Sequence, residues 1–154
     1  MADILVPLNG HVRVRAWEKQ PDGTEKEVYD KTIKNLIVDA GKSSILKYIG
    51  NITGGGYANS IGVGNSTTAA SSSQTDLQGS GSNKYWKSIS STDRIILTTT
   101  LYLSVDFGYT EGNFTWNELG LKDNNDVLIA RQIDSSPFVK TSSKRAIVEW
   151  QLSL

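Results

Sequence analysis

The chain contains no cysteine. That excludes disulfide cross-links, thiolate nucleophiles and cysteine-ligated zinc, while leaving the compartment open. Histidine occurs once, as His11, so no multi-histidine metal site can be built. An excess of one charge is lacking as well: 16 Lys and Arg balance 16 Asp and Glu. Zero formal charge gives no long-range pull toward nucleic acid or an anionic membrane, and neither is expected as a partner. It also gives little self-repulsion, which permits close packing against neighbouring molecules. No apolar run approaches the roughly 20 residues needed to span a bilayer as a helix. Met1-Ala2-Asp3-Ile4-Leu5-Val6-Pro7 has no basic region and only a short apolar run, so it does not read as a secretion signal. The expectation is a protein made in a cytoplasm and soluble until it assembles.

What is present points to strands and turns. Only 38% of the 154 residues are apolar, and 14 glycines sit among many Ser, Thr and Asn. That length suits one domain with its own core. Val12, Val14 and Ala16 alternate with Arg13, Arg15 and Trp17, the period of a strand with one buried face. Pro21-Asp22-Gly23-Thr24 supplies a turn into a second strand over 26–31. Asn35-Leu36-Ile37-Val38 is a brief apolar run. Asp39 is placed to cap a helix over 40–49, with Ile45, Leu46 and Ile49 as its apolar face and Gly50 at its end. Residues 57–64 predict a strand that closely approaches something, because Gly62 and Gly64 carry no side chain. Residues 65–82 are rich in Ser, Thr, Gly and Gln, with Leu77 as the sole large apolar residue. Such a segment is a flexible loop unless the fold or a neighbouring chain holds it.

Further strands are predicted over 85–91, 95–107, 114–121, 127–133 and 146–154. Asp123-Asn124-Asn125-Asp126 forms a hairpin tip, and Ser135-Ser136-Pro137 ends the strand before it. Many short strands with frequent turns predict a mainly β fold: an antiparallel β-sandwich or barrel with one short α-helix near residues 40–49. Residues 1–9 read as an N-terminal arm and residues 10–154 as a single β-rich domain.

The candidate chemistry is thin. Ala40-Gly41-Lys42-Ser43-Ser44 has the look of the end of a phosphate-binding loop, but the glycine required five residues before Gly41 is replaced by Leu36. A helix start is the expectation there. Gly62-Val63-Gly64 opens like a dinucleotide fingerprint, yet its third glycine is Thr67 and no helical pattern follows. A Ser or Thr nucleophile would have to use His11, and Ser is too common here for that pairing to be specific. Glu111 with Glu118, and Asp123 with Asp126, are expected to be solvated carboxylates at turns. The Asp pair also lacks the ligand spacing of a calcium loop. Sequons at Asn51, Asn65 and Asn113 match by chance in so polar a chain. Trp17, Trp86, Trp116 and Trp150 are candidates for a sugar-binding platform, with Trp17, Trp86 and Trp116 taken as the possible ligand platform, although tryptophans of small β proteins mostly fill cores or subunit contacts. No catalytic residue, cofactor or metal is expected.

Several segments together carry a resemblance. Asn35-Leu36-Ile37-Val38-Asp39-Ala40-Gly41 leads into the helix, and Ile61-Gly62-Val63-Gly64-Asn65-Ser66-Thr67-Thr68-Ala69-Ala70 follows, ending near Asp76-Leu77. Then come Phe114-Thr115-Trp116-Asn117-Glu118-Leu119-Gly120-Leu121, Leu128-Ile129-Ala130-Arg131 with Ser135 and Pro137, and Val148-Glu149-Trp150-Gln151-Leu152. This order resembles small virion structural proteins of tailed bacteriophages, both tail-fibre or baseplate modules and capsid decoration proteins. It covers residues 35–154, and its motifs are turn and packing signals. The resemblance implies a compact β-sandwich or barrel, often a trimer, bound to a capsid or tail. No fibrous repeat or receptor-binding tip is attached, which favours a small accessory of the virion. The leading expectation is thus a non-enzymatic, homo-oligomeric virion protein that contacts other virion proteins. The alternative is a carbohydrate- or receptor-binding module of tail-fibre type. The apolar arm fits assembly, with Ile4, Leu5, Val6 and Leu8 expected at an inter-subunit contact. Packing of the arm on its own sandwich is an equal alternative.

Overall fold

The computed structural model describes residues 7–154. Two five-stranded antiparallel sheets pack together as a β-sandwich. The first sheet runs, in spatial order, β2 (Glu25–Lys34), β1 (Asn9–Lys19), β10 (Lys144–Ser153), β7 (Thr100–Phe107) and β6 (Arg94–Leu97). The second runs β3 (Leu36–Ile37), β9 (Leu128–Val139), β8 (Thr115–Asp123), β4 (Ala58–Gly64) and β5 (Lys84–Ser88). One α-helix, α1 (Asp39–Ile49), joins β3 to β4 among the described residues.

The alternation read from the sequence builds the core. Pairing brings Val12 opposite Trp150 and Val14 opposite Val148, and on the other side of β10 sets Val148 opposite Val105 and Trp150 opposite Leu103. These rows face Ile61, Val63, Leu119 and Leu121 from the second sheet, all buried. Phe107, Trp116 and Phe138 meet edge to face, with centroids 5.1 and 5.2 Å apart, the geometry favoured by aromatic quadrupoles. The Trp116 indole N–H donates to the Gly112 carbonyl at 2.7 Å, so its polar atom is satisfied.

Several predicted boundaries are corrected. The strand expected over 95–107 is two, β6 and β7, joined by Thr98 and Thr99. Thr98 sits at φ 55, a left-handed conformation that β-branched residues rarely adopt. Period two cannot reveal a two-residue turn that lacks Gly, Asn and Pro. At the other end, β9 continues past Pro137 to Val139. There Trp116 pairs with Phe138 and Glu118 with Ile133, leaving residues 134–137 bulged opposite Asn117. Proline is tolerated at such a bulge because no ladder bond is required of it.

The helix is where expected, but it docks by a different face. Val38, with no side-chain cap, precedes Asp39, which lies in the first turn. There its carboxylate favours the positive end of the helix dipole and pairs with Lys42 at 3.2 Å. Gly50 has φ −77, and the left-handed residue after the helix is Asn51. A Cβ on Gly41 would lie 2.3 Å from the Ile129 carbonyl oxygen, so glycine is what lets α1 touch β9. Ser44 donates to the Asp123 carboxylate at 2.5 Å and accepts from the Gly56 N–H at 3.1 Å. The helix thus docks by small residues. Ile45 packs on the core, while Leu46 and Ile49, expected on the buried face, stay 68% and 76% exposed.

Residues 65–82 are held by the fold itself, over the outer face of the second sheet. Arg131 and Glu118, neighbours across β9 and β8, are both fully buried and 2.7 Å apart. The Glu118 carboxylate also accepts the backbone N–H groups of Gln78 and Gly79 at 2.9 and 2.5 Å. Arg131 donates to the Gln74 side chain and the Thr68 carbonyl, each at 2.9 Å. Gly64 leaves room for the carboxylate, and Gly62 and Gly120 leave room for Trp86 and Leu77. Removing one partner of a buried pair leaves the other charge uncompensated, at a cost of about 3–5 kcal/mol. Arg131→Met is therefore expected to lower the unfolding free energy by about that amount in urea titration. Arg131→Met with Glu118→Leu is expected to lose less than the two single changes summed; full additivity would show the pair uncoupled.

Candidate assembly surface

Among the described residues the sandwich has four sheet edges, and three carry charge or are very short. β2 is lined by Glu25, Lys26, Glu27, Asp30, Lys31 and Lys34; β5 carries Lys84 and Lys87; β3 is two residues long. Charge and shortness are the usual protections against edge-to-edge pairing. β6 is short too, four residues opening on Arg94, but Ile95-Ile96-Leu97 carry no charge and are 52%, 70% and 60% exposed. Ile96 opposes Leu101 on the core side of the sheet, whereas Ile95 and Leu97 oppose Tyr102 and Thr100 on the outer side. Both faces of this edge strand are therefore apolar and exposed. Arg94 anchors its start, with the guanidinium donating to the carbonyls of Ala58 and, at 3.0 Å, Ile89.

Beside β6 the end of the sandwich is open. A groove of about 1030 Å³ lies between α1 and the β6–β7 hairpin. Leu8, Ile45, Leu101, Ile129 and Leu152 line its depth, and Leu46, Ile49, Tyr57, Ile96 and Leu154 its rim. Among the described residues, Lys42 is the one charged residue that lines it. The groove exists because α1 docks by Gly41 and Ser44 and keeps its large side chains toward this space.

The outer face of the first sheet is different in kind. Several of its charges pair diagonally across strands: Arg13 with Asp30 at 2.7 Å, Arg15 with Glu27 at 2.9 Å, and Arg145 with Glu25 at 3.0 Å. Such exposed pairs contribute little to stability and weaken in salt. His11 is exposed on this face.

The sequence-derived candidates scatter. Ile4, Leu5 and Val6 lie outside the described residues, while Leu8 packs on the core and lines the groove. The ligand platform of Trp17, Trp86 and Trp116 is corrected: Trp116 is buried. Trp17 lies on the outside of the first sheet, between Arg15 and Arg145 at 4.8 and 4.6 Å. Trp86 lies on the outside of the second, against Gly62, with the Lys122 ammonium 4.4 Å from its ring. No two of them share a surface. Glu118 and Asp123, expected to be solvated, are buried; Asp123 accepts from the N–H groups of Asn125 and Val127 and from Ser44. Glu111 is held by Lys87 at 2.6 Å. Sequence reading overlooked Arg131, although a charge inside Leu-Ile-Ala-Arg, like Glu118 inside Trp-Asn-Glu-Leu-Gly-Leu, signals a buried partner.

Among the described residues no three His, Asp or Glu side chains group to hold a metal ion, and no helix is long and apolar enough to cross a membrane. Comparison with family models, curated proteins and solved structures gives no match.

The matched charges predict a pH response. Arg13 holds Asp30, and Arg145 with Tyr109 holds Glu25, below the usual carboxylate range. A folded-state value below the unfolded one gives stability present above the unfolded value and lost as pH falls through the folded one. The melting temperature is thus expected to drop below about pH 4. The drop should be smaller in high salt, which screens exposed pairs. A flat profile from pH 6 to about 3 would contradict this.

Proposed function

We propose that this chain is a non-enzymatic structural subunit of a tailed-phage particle that assembles with copies of itself. Its place is that of a capsid decoration protein or a tail or baseplate component. The observation that carries the assembly reading is the exposed apolar run Ile95-Ile96-Leu97 on edge strand β6 beside an open apolar groove. An exposed surface of this kind is a liability for a lone molecule and a docking surface in an oligomer. The zero net charge is compatible with close packing of copies. The particle assignment, and the trimer that goes with it, rest on the resemblance of residues 35–154 to small virion proteins.

Light scattering is expected to give a mass that is a multiple of 16.8 kDa, and the chain should co-sediment with purified capsids or tails. Ile96→Lys places a charge on the open edge at a position 70% exposed, so the fold should persist while the mass falls to one chain. A single-chain mass for the unaltered protein would end the assembly reading. An oligomer that sediments with neither capsids nor tails would end the particle assignment alone.

A further inference from the structure

We infer that the groove between α1 and β6 is the socket for the N-terminal segment Ile4-Leu5-Val6 of a second copy of this chain. The inference rests on the assembly reading and names the contact it uses. Two features need one occupant. The groove, about 1030 Å³, is lined almost wholly by aliphatic and aromatic side chains. Among the described residues, the free side of β6 presents backbone groups with no strand beyond them. An extended apolar segment answers both, pairing its backbone with the edge and turning alternate side chains into the groove. Ile4-Leu5-Val6 has that chemistry.

The place where the described chain begins selects the donor. Leu8 lines the depth of the same groove, so a copy's own segment starts inside it. It cannot, however, lie along the open edge. β10 and β7 stand between β1 and β6. A strand beyond β6 is therefore four strand spacings from β1, about 19 Å. Ile4 is four residues from Leu8, a reach of about 13 Å when fully extended. The segment that pairs with β6 therefore comes from a neighbour, docked so that its own rim faces this one.

The test compares the full chain with a variant lacking residues 1–6 and with Ile49→Asp, whose side chain is 76% exposed and so dispensable for folding. Both variants are expected to fall to single-chain mass at concentrations where the full chain is oligomeric. A labelled peptide of residues 2–8 should bind the shortened protein, and at least tenfold more weakly when Ile49→Asp is added. A shortened chain that keeps the oligomeric mass, or Ile49→Asp that keeps it with an unchanged near-ultraviolet spectrum, overturns the socket and leaves assembly standing. A full chain of single-chain mass overturns both readings together.

Discussion

The buried pair of Arg131 and Glu118 decides what the second sheet can be. Taking two charges out of water costs several kcal/mol per ion, and mutual attraction alone does not restore it. Here the remaining hydrogen-bonding capacity is used on the segment 65–82: Glu118 accepts from the Gln78 and Gly79 backbone, and Arg131 donates to Gln74 and Thr68. A polar stretch with one large apolar residue, Leu77, is thereby fixed as a cover. The row of Gly62, Gly64 and Gly120 follows from the same constraint, because the carboxylate, Trp86 and Leu77 occupy the space where their side chains would be. The second sheet is buried on both faces by its own chain.

That closure determines which surfaces remain. One sheet is covered by residues 65–82, and the other is faced by ion pairs matched across β1, β2 and β10. Magnitudes separate the remaining candidates. An exposed ion pair contributes about 0–1 kcal/mol and weakens in salt, whereas burying a Leu or Ile side chain is worth about 1.5–3 kcal/mol. Covering Leu46, Ile49 and Ile96 therefore outweighs anything the charged face offers a partner. In the proposed assembly, the apolar end is where association would gain free energy.

The sheets were legible because alternation with one buried face leaves a direct mark in the sequence, as in Val12, Val14 and Ala16. The close approach at Gly62 and Gly64 was legible too, since strand glycines signal a neighbour. What could not be read depends on contacts distant in sequence. Thr98 bends the chain without any turn residue. Pro137 is accommodated by a bulge set by Asn117 on another strand. Glu118 and Asp123 look like ordinary surface carboxylates until Arg131 and Ser44, 13 and 79 residues away, are brought to them. The groove was the least visible feature, because Ile45, Leu46 and Ile49 have the spacing of a buried helix face.

That last misreading carries the physical point. An amphipathic helix normally buries its large apolar stripe and leaves small or polar residues to water. α1 reverses this, because Gly41 allows backbone contact with β9 and Ser44 is tied to Asp123 beneath it. Docking by the small face is geometrically exacting, since interiors tolerate little added volume. It holds Leu46 and Ile49 at a set distance from Ile96 across an open space rather than letting them collapse onto the core. A helix retained only for stability would be better turned to bury those side chains. In the proposed assembly, the free energy of covering them would be realised between molecules, with the intramolecular contacts holding the surface open.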